Sequence, residues 1–395
     1  MTQGRQLVIG IVAGEQSGEN LAVDLIDSIA ARTGSLPQLV GVGGDRLAER
    51  GLKSVFDPSE IALMGISAVL VSVPRLLLRL RQTAQALIAA RPDVIILIDS
   101  PEFSYRVAQR VKKALPYTPV IKYVAPSVWA WRPGRARAIA RYIDHVLAIL
   151  SFEPAVMEGL GGPKTTYIGH PLAMDAGLEA VWTARRERPP RKTGTQFDLL
   201  VLPGSRKGEI DGLLPDFEQA VGVLHERGHR FRILMPTLPR LAETLMQRTA
   251  SWPVKPLITT SPADKIAAFR TADAALAASG TVLLELALAG VPVISCYRTD
   301  RIMRLAVSLV TTWTAALPNI IADRPIVPEY IDYLIRPGML ARRIEELVEE
   351  NSGAAALQLS GFKTVRDLMV IAERPGSRAA AIVLDAVAKI PDSGQ

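Results

Sequence analysis

One cysteine, Cys296, stands among the 395 residues. That is too few for a disulfide framework or a four-cysteine metal site, and it suits a reducing compartment such as the cytoplasm. Aromatic residues are also sparse, 5% against 49% hydrophobic, so the apolar content is aliphatic and favours buried parallel strands over an aromatic β-sandwich. Long apolar runs are missing: the uncharged stretch Ile61 to Pro74 falls short of the ~20 residues a bilayer span needs. Arg5 followed by Leu7 to Ala13 has the outline of a secretory signal. The run is short, however, holds Gly10 and enters Glu15 without a cleavage-type end, so it reads as a buried first strand. The dinucleotide spacing G-x-G-x-x-G is absent from Ala13-Gly14-Glu15-Gln16-Ser17-Gly18. It is absent as well from Gly41-Val42-Gly43-Gly44-Asp45-Arg46, which argues against a nicotinamide dehydrogenase. Excess charge is small: 46 Lys and Arg against 39 Asp and Glu leave +7. Such a bias suits an anionic substrate or an anionic membrane face and is no nucleic-acid signature.

What is present is an alternation of short aliphatic strands and helices, repeated twice. Leu7 to Ala13, Gln38 to Val42, Val94 to Ile98, Val120 to Val124, Val146 to Leu150 and Tyr167 to Pro171 read as strands of a first doubly wound parallel sheet. Leu199 to Leu202, Phe231 to Met235, Lys255 to Thr259 and Asp273 to Ala278 read as those of a second. The chain is long for one core. The expected division is an α/β domain over residues 1–174, a second Rossmann-like domain over 175–344, and helices over 345–395 that pack back on the first. Substrates are expected in the cleft between the halves.

Ligands of such sheets bind beyond the carboxyl ends of the strands. Ser279-Gly280-Thr281 is a turn between a strand and the helix Val282 to Ala289, which Gly290 closes. Its amides and the helix dipole make a phosphate site, and Glu285 offers a carboxylate to the two hydroxyls of a ribose. The alternative is an N-cap and a solvated charge. In the first half, Glu15 and Ser17 lie on the glycine loop and Asp99 ends a strand, where a general base is geometrically open to it. Trp129, Trp131, Arg132 and Arg135 follow the strand Val120 to Val124 and suggest a loop gripping an anionic ligand. Ile61 to Arg81 joins a long apolar face to Arg75, Arg79 and Arg81, the makeup of an interfacial membrane segment or of a helix packed on the sheet, with Pro74 expected to split it. Glu179 to Gln196, rich in arginine, reads as a surface segment after the hinge. His225-Glu226-Arg227-Gly228-His229 matches the zinc-peptidase string H-E-x-x-H, but Gly228 is expected to end the helix before His229.

Taken in order, Ala13-Gly14-Glu15-x-Ser17-Gly18, Met64-Gly65-Ile66, Ile98-Asp99-x-Pro101-x-Phe103, Pro126-Ser127-Val128-Trp129-Ala130-Trp131-Arg132, Phe152-Glu153, Gly169-His170, Leu202-Pro203-Gly204-Ser205-Arg206, Ala278-Ser279-Gly280-Thr281 with Glu285, and Leu317-Pro318-Asn319 resemble the lipid-A-disaccharide synthases over nearly the whole chain. The resemblance implies a metal-independent, inverting glycosyltransferase of GT-B architecture, without cofactor, peripheral to the cytoplasmic face of a Gram-negative inner membrane. Its implied substrates are UDP-2,3-diacylglucosamine and 2,3-diacylglucosamine 1-phosphate (lipid X). Its implied products are a β-1,6-linked tetraacyl disaccharide 1-phosphate and UDP. A homodimer is open to it, and no nucleic-acid partner is expected.

Under this resemblance Asp99 is the expected base, with Glu15 and then His170 as competitors. Arg206, Ser205 and the amides of Ser279, Gly280 and Thr281 are expected to hold the departing diphosphate, Glu285 the ribose, and Asn319 the sugar or diphosphate. Ser17, Ser127, Trp129, Arg132 and His170 are expected on the cleft wall or at the acceptor, and Leu76, Leu77, Leu78, Arg75 and Arg79 at the membrane. Glu19, Glu102, Ser151 and Asp332 depart from the family's usual residues. The rival readings are another GT-B enzyme, such as a UDP-N-acetylglucosamine 2-epimerase, and a non-catalytic nucleotide-sugar sensor, which would have no use for Asp99.

Overall fold

In a computed structural model of the chain, residues 5–62, 66–189, 191–192, 194–299 and 310–389 are described. Met64 and Gly65 of the motif series and Pro190 of the arginine-rich segment lie outside them. Contacts divide the chain into a first unit of residues 1–171 with 371–395 and a second of 172–370.

The first unit is a sheet of seven parallel strands: β1 (Val8–Val12), β2 (Gln38–Val42), β3 (Lys53–Ser54), β4 (Val94–Leu97), β5 (Val120–Tyr123), β6 (His145–Ala148) and β7 (Lys164–Tyr167), in the order 3-2-1-4-5-6-7. Its helices are α1 (Gln16–Thr33), α2 (Asp45–Ala48), α3 (Ser59–Ala62), α4 (Ile66–Ala90), α5 (Pro101–Ala114), α6 (Gly134–Ile139) and α7 (Glu153–Gly159). Because helices cover both faces, a central strand is apolar at every position. In β4, Ile95 and Leu97 enter one core while Val94 and Ile96 enter the other, each such side chain contributing about 2 kcal/mol.

The second unit holds β8 (Phe197–Leu202), β9 (Phe231–Pro236), β10 (Pro256–Thr259), β11 (Ala274–Ala278), β12 (Val293–Tyr297) and β13 (Glu329–Ile331), all parallel, in the order 10-9-8-11-12-13. Its helices are α8 (Ala176–Arg186), α9 (Lys207–Glu226), α10 (Pro239–Arg248), α11 (Pro262–Thr271), α12 (Thr281–Ala289), α13 (Leu317–Ala322), α14 (Pro337–Val348) and α15 (Gly353–Met369). A last helix, α16 (Pro375–Ala388), returns to the first unit. There Ala379, Ala380 and Val383 share a core with Ala22, Leu25, Ile26 and Ile29 of α1.

Several elements differ from the sequence expectation. Pro74 does not split its segment: α4 runs through it as one helix. Strand β7 ends at Tyr167, where a strand was expected to begin, since Gly169 takes φ +97° and turns the chain. Residues 353–369 stay with the second unit, and Pro375 and Gly376 open α16 instead of interrupting a helix, proline being preformed for a first helical position. The arginine-rich segment is not all surface. Arg185 is half-buried, and its guanidinium ties off the carbonyls of Phe269, Ala272 and Gly290. In the zinc-like string α9 does stop at Glu226, with Gly228 at φ +81°, and His229 turns to Glu345 at 2.9 Å.

Candidate functional site

Both sheets reverse strand order once, β1 beside β4 and β8 beside β11, and in such sheets ligands bind at the loops after these strands. In the first unit Asp99 follows β4. Its Oδ1 accepts the Gly14 N–H at 2.7 Å and its Oδ2 the Glu15 N–H at 2.8 Å. Behind it the Ser104 hydroxyl donates to the Asp99 carbonyl at 2.6 Å. The carboxylate is thus seated, each oxygen keeping a lone pair for a ligand. Gly18, in the first turn of α1, makes the seat possible, because a Cβ there would lie 2.1 Å from Asp99 Oδ2. Asp99, Glu15 and Ser17 therefore come together, the last two exposed. A crevice of about 890 Å³ opens beside them, with Glu15, Glu19, Gly44, Arg46 and Asp57 in its lining.

Beyond β5 the chain passes Val124 at φ +70°, a conformation rare for a β-branched residue, into the loop of Ser127, Trp129 and Arg132. Ser127 is exposed, and its carbonyl accepts the Ala130 and Trp131 amides at 3.0 and 3.2 Å. Arg132 stacks on Trp131 with its Cζ 4.4 Å from the ring centre. Trp129 packs edge-on against Phe152 at 5.5 Å. Next to that pair lies Glu153, a group the sequence motif contained without revealing its burial. Its carboxyl accepts the Leu150 N–H at 3.1 Å, and burial pushes it up to about 7. His170 is buried too, and burial pushes its imidazole down to about 4, so it is neutral near pH 7.

Glu153 gives a stability test. Its folded value lies above the unfolded one of 4.5, so its contribution is complete below about 4.5 and lost as pH rises through about 7. Glu153→Gln should melt near the parent at pH 5 and above it at pH 8, by up to about 3 kcal/mol. Equal melting shifts at both pH values in calorimetry would contradict this.

In the second unit the loop after β8 carries Ser205 and Arg206. Glu209, in the first turn of α9, accepts the N–H groups of Ser205 and Arg206 at 2.9 and 3.2 Å and the Arg206 guanidinium at 2.8 Å. The Arg206 side chain stays 81% exposed. The loop after β11 carries Ser279 and Gly280, and Thr281 begins α12. In the first turn of a helix the amides of Thr281 and Val282 have no carbonyl four residues back within it. The Ser279 hydroxyl donates to the Ala315 carbonyl at 3.2 Å.

Glu285, one turn on, is paired with Lys265 of α11 at 2.5 Å, a partner the sequence did not suggest. Asn319 is spent inside the fold. Its Oδ1 accepts the Ile326 and Val327 amides at 2.9 and 2.7 Å, and its Nδ2 donates to the Val327 carbonyl at 2.9 Å and to Thr314 Oγ1 at 3.2 Å. The amide expected to touch a sugar instead holds the segment whose Ala315 carbonyl receives Ser279.

A family profile described as lipid-A-disaccharide synthetase matches residues 9–382. The chain belongs to this family. Among relatives named lipid-A-disaccharide synthase, that of Rhodopseudomonas palustris is 41% identical over 389 residues, 97% of each chain. That of Ruegeria pomeroyi is 39% identical and covers 97% of this chain and 96% of its own. A solved glycosyltransferase of kitacinnamycin superposes with a TM-score of 0.60 at 17% identity, covering 97% of this chain and 100% of that one. The UDP-GlcNAc 2-epimerase of Neisseria meningitidis does so at 0.55 and 11% identity, covering 98% and 100%. The fold is the two-unit α/β arrangement of the GT-B class.

Positions where this lipid-A-disaccharide synthetase family member departs from the usual residues are mostly structural. Glu19 is buried and accepts the Leu47 N–H at 3.1 Å. Glu102 pairs with Arg106 and Arg135 on the surface. Asp332 accepts the amide and hydroxyl of Thr299. Nothing in the structure explains Ser151. Glu60 of α3 engages both Arg75 at 2.8 Å and Arg79 at 2.7 Å on α4, where Leu77 and Leu78 are 42% and 51% exposed and Leu76 is half-buried. Among the described residues no helix is long and apolar enough to cross a membrane, and no group of three His, Cys, Asp or Glu could hold a metal ion. One functional candidate was missed altogether: Lys122, in a segment that reads as a plain apolar strand.

Proposed function

We propose that this chain catalyses the lipid-A-disaccharide synthase reaction. It transfers 2,3-diacylglucosamine from UDP to the 6-hydroxyl of lipid X with inversion, releasing UDP. The family match across residues 9–382 carries the reading. The seated Asp99 supports it, since an inverting displacement needs a fixed base for the acceptor hydroxyl. In this reading Asp99 takes the proton. Arg206 and the amides of Gly280, Thr281 and Val282 stabilise the charge growing on the diphosphate; the Ser279 amide, expected among them, instead donates to the Cys296 carbonyl at 2.9 Å. Glu285 binds the ribose hydroxyls, and Lys265 keeps its carboxylate in place. The crevice beside Glu15 receives the acceptor sugar. Asn319 and Glu153 act by holding the loops of Ser279 and Trp129.

Incubation with radiolabelled UDP-diacylglucosamine and lipid X, with and without chelator, should yield the tetraacyl disaccharide 1-phosphate equally in both. Absence of disaccharide, or epimerised UDP-sugar in its place, overturns the reading. Glu285→Ala should weaken UDP binding by about 10-fold or more, as loss of a bidentate charged hydrogen bond does. Calorimetric titration checks this, and unchanged affinity would remove the ribose role.

Peripheral attachment to the inner membrane is part of the proposal. Exposed Leu77 and Leu78 would enter the acyl boundary, with Arg75 and Arg79 near the headgroups. Changing Leu76, Leu77 and Leu78 to serine should reduce co-sedimentation with anionic vesicles several-fold. Undiminished sedimentation counts against the foothold.

A further inference from the structure

Lys122 sits on β5 in register with Leu97 of β4 and is 2% exposed. A lysine so deep in a parallel sheet is exceptional unless it is paired. Its Nζ donates to the carbonyl of Ile98, the residue just before Asp99. The charged groups that act on it are Asp99, at the end of β4, and Glu15, in the loop after β1. The adjacent strand β4 and the next strand over, β1, thus lead into the two acidic residues of the first-unit site. The carboxylate of one is held by the amides of Gly14 and Glu15.

We propose that Lys122 is a positioning residue for the transfer: its buried ammonium fixes the backbone at Ile98 and supplies the counter-charge to the Asp99 carboxylate from beneath the sheet. This rests on the proposed role of Asp99 as base. Lys122 touches no substrate and acts through the aspartate. Burial brings its ammonium down to about 7, against the pull of Asp99 and Glu15, so the counter-charge is present at pH 6 and mostly gone at pH 8. A neutral replacement therefore matters at low pH and little at high pH.

The experiment compares the parent with Lys122→Met, which removes charge and hydrogen bond, and Lys122→Gln, which removes the charge and keeps a donor. kcat/KM is read from pH 5 to 9 alongside UDP affinity and melting temperature. In both variants the acid limb should move up by about one pH unit, the size of a lost nearby opposite charge. The parent-to-variant ratio should approach about 10 at pH values on the acid limb and fall to unity on the plateau above it. UDP affinity should be unchanged, and melting should occur at or above the parental temperature, because a charge no longer has to be buried. A folded variant whose loss is the same at every pH, or whose acid limb does not move, overturns the proposal. If Lys122→Met does not fold, Lys122→Gln decides alone. Failure of the parent to form disaccharide would instead overturn the functional reading, which separates the two.

Discussion

Asp99→Ala is expected to abolish transfer, lowering turnover by at least ~10³-fold while UDP affinity stays within about twofold of the parent. General-base catalysis alone accounts for about 10²–10⁴-fold, and beyond that proposed role the carboxylate also has a structural one. Its two oxygens are the acceptors for the Gly14 and Glu15 amides, so its removal also leaves the glycine loop without an anchor. The residues proposed to hold UDP, Arg206, Thr281 and Glu285 among them, belong to the other unit, so affinity for the nucleotide is expected to be untouched. Initial rates with both lipid substrates and calorimetric titration with UDP check the pair of outcomes. A parallel loss of UDP affinity would remove Asp99 as base.

Gly18→Ala should be nearly as damaging, with turnover falling by about 10²-fold although the first helix is strengthened. In a helix interior alanine is favoured over glycine by about 1 kcal/mol, and Gly18 lies within α1. The added methyl, however, would sit 2.1 Å from Asp99 Oδ2 and 3.3 Å from Ile98 Cγ2. The methyl displaces the carboxylate from its two amides, and misplacement of a reacting group by an ångström costs about two orders of magnitude. Lost turnover together with a melting temperature at or somewhat below the parental value is the expected result, because the clash and the lost amide bonds outweigh the helix gain. Parental turnover would show that the seat of Asp99 is immaterial.

Much of this was legible beforehand because local pattern and tertiary role agree. The strands Gln38–Val42 and Phe231–Pro236 and the turn from Ser279 into α12 follow from aliphatic runs closed by glycine or polar residues. The positions of Asp99, Arg206 and Glu285 follow from the rule that loops after parallel strands carry ligands. What was hidden depends on partners far away in sequence. Lys122 passes unnoticed in an apolar strand until its neighbours are known. Lys265 is twenty positions from Glu285 on a different helix, and the demands on the Asn319 amide arise from Thr314, Ile326 and Val327. Pro74 misled in the other direction, since the kink rule is a tendency that packing overrides.

The alliance of α1 with α16 has a consequence for biosynthesis. The apolar side of α1 is closed by Ala379, Ala380 and Val383, and Asp24 caps the new helix at the Gly376 N–H. Residues 172–370 form a contiguous unit and can collapse as soon as they leave the ribosome. The segment translated before them must wait, with one greasy flank bare, until a stretch made some two hundred codons later arrives to cover it. The half holding Asp99 is therefore complete only once residues 371–395 have been made.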